Sequence, residues 1–185
     1  MRSPEAGSHR IRAPMGPISA EIEIDAPRER VFAFLADLAA RPSFTDHFLT
    51  GFHLTRIESA GVGAGARFRA KGPLRSVWQD TCITSLEEPF RIVEAGRGGR
   101  GNRIPNHTVW ELKEASGGLT TVRVAYWTQP RPGDRGLELF SLGSVWQARG
   151  WRQALRRLRD ELESDEALPE RIAVAGGNRY ATGIP

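Results

Sequence analysis

Residues 93–105 read VEAGRGGRGNRIP, and positions 96–101 within them spell G-x-G-x-x-G. Three readings compete for this stretch: a dinucleotide-binding loop, a short Arg/Gly patch of the kind that touches RNA, and a plain turn between two strands. A dinucleotide loop needs a strand before it and a helix after it, because the amides and dipole of that helix hold the pyrophosphate. The strand is present as FRIVEA, 90–95. The helix is not: NRIPNHTVWELKE, 102–114, carries Pro105 and then alternates apolar and polar residues as a strand does. The looser match GVGAGA at 61–66 fails the same way, since RFRAKG follows it. RNA-binding Arg/Gly tracts are longer and unstructured. The turn reading therefore stands, and it places a strand on each side.

Working outward, a period of two predicts strands near 52–58, 65–71, 76–86, 90–96, 106–114 and 119–128. Turn-like punctuation separates them: GVGAG, KGPLR, EEP, and the Ser-Gly-Gly that joins HTVWELKE to LTTVRVAYWTQ as a hairpin. Upstream, ISAEIEIDAP sets Ile18, Ala20, Ile22 and Ile24 on one face and Ser19, Glu21 and Glu23 on the other, a half-buried strand. Asp25 and Pro27 then signal a helix start, and RERVFAFLADL carries its apolar face on Val31, Phe34, Leu35 and Leu38. AARPSFTDHFLTGFH, interrupted by Pro42, predicts a short second helix. Downstream, PRPGD ends the sheet, with Asp134 as N-cap of a long helix to about Ser164. Its stripe is Leu137, Phe140, Ser144, Ala148, Trp151, Leu155, Leu158 and Leu162, with Arg149, Arg152 and Arg156 on another face. Gly143 and Gly150 are costly inside a helix and suggest a bend. Residues 1–16 read as a disordered leader, with Met15 a possible alternative start, and 164–185 as a tail that is loose or docks as one short strand.

The chain of 185 residues is long enough for one domain with a substantial core. No apolar run reaches membrane-spanning length, no secretory h-region is present, and Cys82 is alone, so a cytoplasmic location is expected without disulfides. The net charge of +4 is almost all arginine, since Lys71 and Lys113 are the only lysines. A positive excess raises nucleic acid or anionic lipid as partners, but nothing in the motifs supports nucleic acid firmly.

The order of elements is one strand, two short helices, six strands and a long C-terminal helix. On ISAEIEIDAPRERVFAFLADL, SLEEPFRIVEAG and TVWELKEASGGLTTVRVAYWT, the chain resembles the SRPBCC superfamily over residues 17–163. That superfamily includes START lipid-transfer domains, pollen-allergen-type proteins and polyketide cyclase/dehydrase-like proteins. The resemblance implies an α+β helix-grip fold: a curved seven-stranded antiparallel sheet wrapped around the long helix, with an apolar pocket between them open near the short helices. It implies no reaction and no cofactor, because the fold carries no catalytic motif.

If the apolar faces are concave, Phe68, Trp78, Trp110, Tyr126, Phe140 and Trp151 converge on one space, with Phe44 and Phe48 at the short helices, as expected ligand contacts. Core filling alone is the competing account. Asp80, which shares the face of Trp78, and Tyr126, His107 and Thr108 are the polar candidates in the pocket, depending on strand phase. Asp46–His47, with His53 nearby, is the most suggestive polar cluster, although adjacent residues point apart. No ligand spacing among His47, His53 and His107 supports a metal. Cys82 reads as a small buried hydrophobe. The expected function is binding of a small hydrophobic molecule of polyketide, isoprenoid or lipid type. The alternative is a cyclase, aromatase or dehydratase using Asp80, Tyr126 or His47, and a third reading is a polyanion- or partner-binding module using Arg97, Arg100, Arg103 and the helix arginines.

Overall fold

The computed structural model describes residues 15–72, 76–129 and 141–164. Strand β1 (Met15–Ile24) leads into helices α1 (Arg28–Ala36) and α2 (Arg41–Thr45). Six strands follow: β2 (Leu49–Leu54), β3 (Gly65–Ala70), β4 (Val77–Glu87), β5 (Arg91–Gly98), β6 (Ile104–Glu114) and β7 (Thr120–Thr128). Helix α3 (Ser141–Glu163) closes the fold. The seven strands form one antiparallel sheet in the order β1-β7-β6-β5-β4-β3-β2. Each strand after β1 is an antiparallel neighbour of the next in sequence, and β1 closes onto β7, so β1 and β2 are the two edges. This is the helix-grip arrangement, with α3 gripped against β1 and α2.

Alternation decides which face is inside. On β1, Ala20 and Ile24 are buried and sit opposite Val124 and Thr120 of β7. On α1, Val31, Phe34 and Leu35 are buried as their spacing predicts, and so is Phe32. On α3 the buried stripe is Trp151, Ala154, Leu155, Leu158 and Leu162. Ser144, expected in that stripe, is exposed. Leu137, Phe140 and the Asp134 cap lie outside the described residues, as do leader residues 1–14 and the tail from 165. Met15 and Gly16, counted with the leader from the sequence, are the first residues of β1.

Gly150 has a packing reason. A Cβ there would lie 2.6 Å from the Phe48 ring, so only a glycine lets that ring lie against the helix. The G-x-G-x-x-G stretch divides in two. Gly99 and Gly101, with φ of +78° and +69°, make the β5–β6 turn. Gly96 belongs to β5 itself, and a Cβ there would meet the Asp80 carbonyl at 1.8 Å.

Candidate functional site

The inner face of the sheet and α3 enclose a wall of aromatic rings centred on Trp151. Its indole lies 5.6 Å from Trp110 edge-on, 5.1 Å from Phe48 edge-on and 6.3 Å from Tyr126. Trp110 in turn meets Phe44 at 6.4 Å. Five of the expected contacts, Phe44, Phe48, Trp110, Tyr126 and Trp151, therefore share one cluster, and all are buried. Phe68 also faces inward but stacks on Phe52, at 5.4 Å and 5° between planes. Phe140 lies outside the described residues.

Polar groups interrupt this wall. Glu94 of β5 accepts from Arg41 Nη2 at 2.7 Å, Trp110 Nε1 at 2.9 Å and Thr81 Oγ1 at 3.0 Å. Arg41 also donates to the Leu35 carbonyl at 3.1 Å, and its guanidinium lies 4.9 Å from the Trp110 ring centre. Its charge is thus shared between a carboxylate, a carbonyl and an indole face, which is how a buried guanidinium is tolerated. One row further along, Gln79 Nε2 donates to the Tyr126 hydroxyl at 3.0 Å. Asn106 and Thr108 of β6 are buried on the same face. The Asn106 amide nitrogen and the Trp151 indole nitrogen are buried with no hydrogen-bond partner among the described residues. A buried N–H without an acceptor costs about 1–3 kcal/mol, and the Arg41 Nε–H of the same wall is likewise buried without a partner among the described residues.

The family profile described as polyketide cyclase / dehydrase and lipid transport matches residues 15–163, the span from β1 to the end of α3. The chain belongs to that family. Solved structures agree at the level of the fold. KanY, solved in solution by NMR, is 15% identical and superposes with a TM-score of 0.64 over 81% of this chain and 100% of its own. TTHA0849 from Thermus thermophilus is 19% identical, with a TM-score of 0.62 over 78% of this chain and 95% of its own. The major latex-like protein 151 of Panax ginseng is 11% identical, with a TM-score of 0.59 over 80% of this chain and 98% of its own. No protein of curated function matches the sequence. The family match places the chain in the SRPBCC superfamily, and the solved structures share its fold.

Within this family framework, two expected pocket residues face the other way. Trp78 is 41% exposed on the outer sheet face, and Asp80 beside it accepts from Asn102 Nδ2 at 2.6 Å there. The cause is the period of two. Ile83 is fully buried on the inner face, and no register shift separates it from Val77, so Trp78 and Asp80, both an odd number of residues away, cannot share its face. The inner face of β4 carries Gln79, Thr81 and Ile83 instead. Cys82 shares the outer face of Trp78 and Asp80, half-buried, with its thiol 3.6 Å from the Ile83 carbonyl.

The three histidines among the described residues fall in separate environments. His107 stacks on Trp127 on the outer face at 5.7 Å, whereas its neighbour Thr108 faces inward. His53 meets the edge of Trp78 at 6.1 Å. His47 lies between α2 and α3, where Nε2 is 3.1 Å from the Gly150 carbonyl and Nδ1 is 3.3 Å from Arg157 Nη1. Arg157 donates to Nδ1 and Nε2–H donates to the carbonyl, which is the neutral tautomer. Burial, the largest influence, holds this imidazole below its usual 6.5, and the charges of Arg157 and Lys71 push the same way. The Gly150 hydrogen bond and Asp46 oppose them. Asp46 and His47 do not pair with each other; both meet Arg157, which bonds the Asp46 carboxylate as well.

Sequence reasoning missed Arg41, Glu94 and Asn106. For Glu94 the signal was present, since it occupies the same alternation as Ile92 in an apolar register. For Arg41 there was none, because only tertiary contact brings α2 against β5.

Proposed function

We propose that the protein binds a small, largely hydrophobic molecule of polyketide, isoprenoid or lipid type between the sheet and α3. The observation that carries this reading is the ring cluster around Trp151 together with the partnerless donors on Asn106 and Trp151. Rings supply area and non-directional attraction, and a few convergent polar groups fix orientation. Such a surface favours a flat, mostly apolar ligand bearing an acceptor oxygen. Family membership supports the same class. Native mass spectrometry of the purified chain tests it: a mass excess of one small molecule, released on unfolding, is expected.

A second reading, an enzyme of cyclase, aromatase or dehydratase type, is favoured by one feature. Tyr126 is the member of the trio Asp80, Tyr126 and His47 whose hydroxyl lies on the inner face, held by Gln79. A positioned phenol can pass a proton to or from a bound carbonyl compound. Asp80 faces outward, and His47 commits both ring nitrogens to the α2–α3 junction. Glu94 has its oxygens occupied by three donors and serves to position its neighbours. If Tyr126→Phe turned over a reactive poly-keto compound as fast as the parent chain, this reading would be lost.

A further inference from the structure

The outer face of the sheet carries a second cluster that the interior reading leaves unused. The guanidinium carbons of Arg67 and Arg69, on β3, lie 5.3 Å and 5.6 Å from the ring centre of Trp78. His53 on β2 closes the edge of the same indole at 6.1 Å. The register places His53, Arg67, Asp80 and Arg97 side by side across β2 to β5, at the strand spacing of about 4.8 Å. Asp80 is the one acid in this row, and it is engaged by Arg67 Nε at 3.5 Å and by Asn102 at 2.6 Å. Arg69 and Arg97 have no carboxylate partner among the described residues.

We propose that this cluster is an anion site for a phosphate group. An indole face holds a guanidinium in place while its outer N–H groups can still donate: Arg67 spends Nε on Asp80 and keeps its terminal N–H groups. Two guanidiniums held on one ring offer donors without first ordering two long side chains, which lowers the cost of binding. A phosphate oxygen set matches that fork geometry, and charged hydrogen bonds of this kind are the strong ones. Arg97 adds a third positive charge, against the single charge of Asp80.

The test uses the full chain and two phosphate sources. Inorganic phosphate is titrated while the Trp78 Nε1–H and the Arg67 and Arg69 Nε–H signals are followed by NMR, against sodium chloride of matched ionic strength. Flotation with phosphatidylcholine vesicles, with and without phosphatidylglycerol, is run in parallel. Saturable shifts with phosphate, or binding to the phosphatidylglycerol vesicles alone, support the site and identify a free phosphate or a lipid headgroup as its source. In either case R67Q/R69Q weakens binding at least tenfold, D80N strengthens it, and R149Q/R152Q on α3 leaves it unchanged. The proposal is overturned if neither source exceeds the matched chloride control, or if R67Q/R69Q binds as the parent chain does. These substitutions lie on the exposed face, so their failure would leave the interior reading untouched.

Discussion

Arg41 and Glu94 meet at 2.7 Å although 53 residues separate them, and both side chains are 3% exposed. The pair ties α2 to the centre of the sheet beneath the ring cluster. Removing one partner strands a buried charge, which typically costs 3–5 kcal/mol. Glu94→Ala and Arg41→Ala should each lose stability of about that size in urea unfolding. The double change Arg41→Met/Glu94→Leu should recover most of it, since apolar replacements of similar volume are often neutral.

Gly150 offers a second check. Alanine favours a helix over glycine by about 1 kcal/mol, so propensity alone predicts that Gly150→Ala stabilises. The contact with Phe48 predicts the reverse, because the added Cβ would sit 2.6 Å from its ring, and overpacking of this kind costs about 1–3 kcal/mol. A net loss in thermal or denaturant unfolding is expected. Phe48→Leu in the Gly150→Ala background should cost less than Phe48→Leu alone, a coupling measurable by a double-mutant cycle.

The phase of β4 predicts a contrast between two residues of one strand. Ile83 is fully buried while Trp78 is 41% exposed. Ile83→Ala should cost about 2–5 kcal/mol, and Trp78→Ala should cost less than that despite the larger side chain. A large loss at Trp78 with a small one at Ile83 would reverse the strand.

That strand shows how far the sequence reaches. The alternation of β1, β6 and β7, the Ser-Gly-Gly hairpin and the C-terminal half of the stripe on α3, from Trp151 to Leu162, are local patterns, and the fold follows them closely. Most of the aromatic wall was legible too, because Trp110, Tyr126 and Trp151 lie on faces that alternation and helical spacing turn inward, whereas Phe68 faces inward but pairs with Phe52. Trp78 was misplaced because hydrophobic size was taken as the mark of the inner face, whereas Ile83 sets the phase and guanidiniums cover the indole outside. The Arg41–Glu94 pair and the Gly150–Phe48 contact depend on how α2 and α3 settle on the sheet, which no local pattern records.

His47 predicts a pH dependence. Its folded-state value lies below the ordinary 6.5 because burial disfavours the imidazolium. Below about 6.5 the unfolded chain therefore binds a proton that the folded chain does not, and stability falls as pH falls toward the folded value. Above that range both states are neutral at this site and its contribution is complete. His47→Gln should flatten the stability–pH curve below about 6.5, and an NMR titration of the ring should report the lowered value.

The central claim is an interior site where rings supply the area and Asn106 supplies a donor. Its most direct test is a fluorescence titration of the chain with a neutral, polarity-sensitive naphthalene dye bearing a carbonyl, beside Asn106→Leu, which keeps the volume and removes the amide. The account predicts one saturable equivalent for the parent chain and binding about tenfold weaker for the variant, the worth of one buried hydrogen bond. No saturable binding by the parent chain, or equal binding by both, would contradict it.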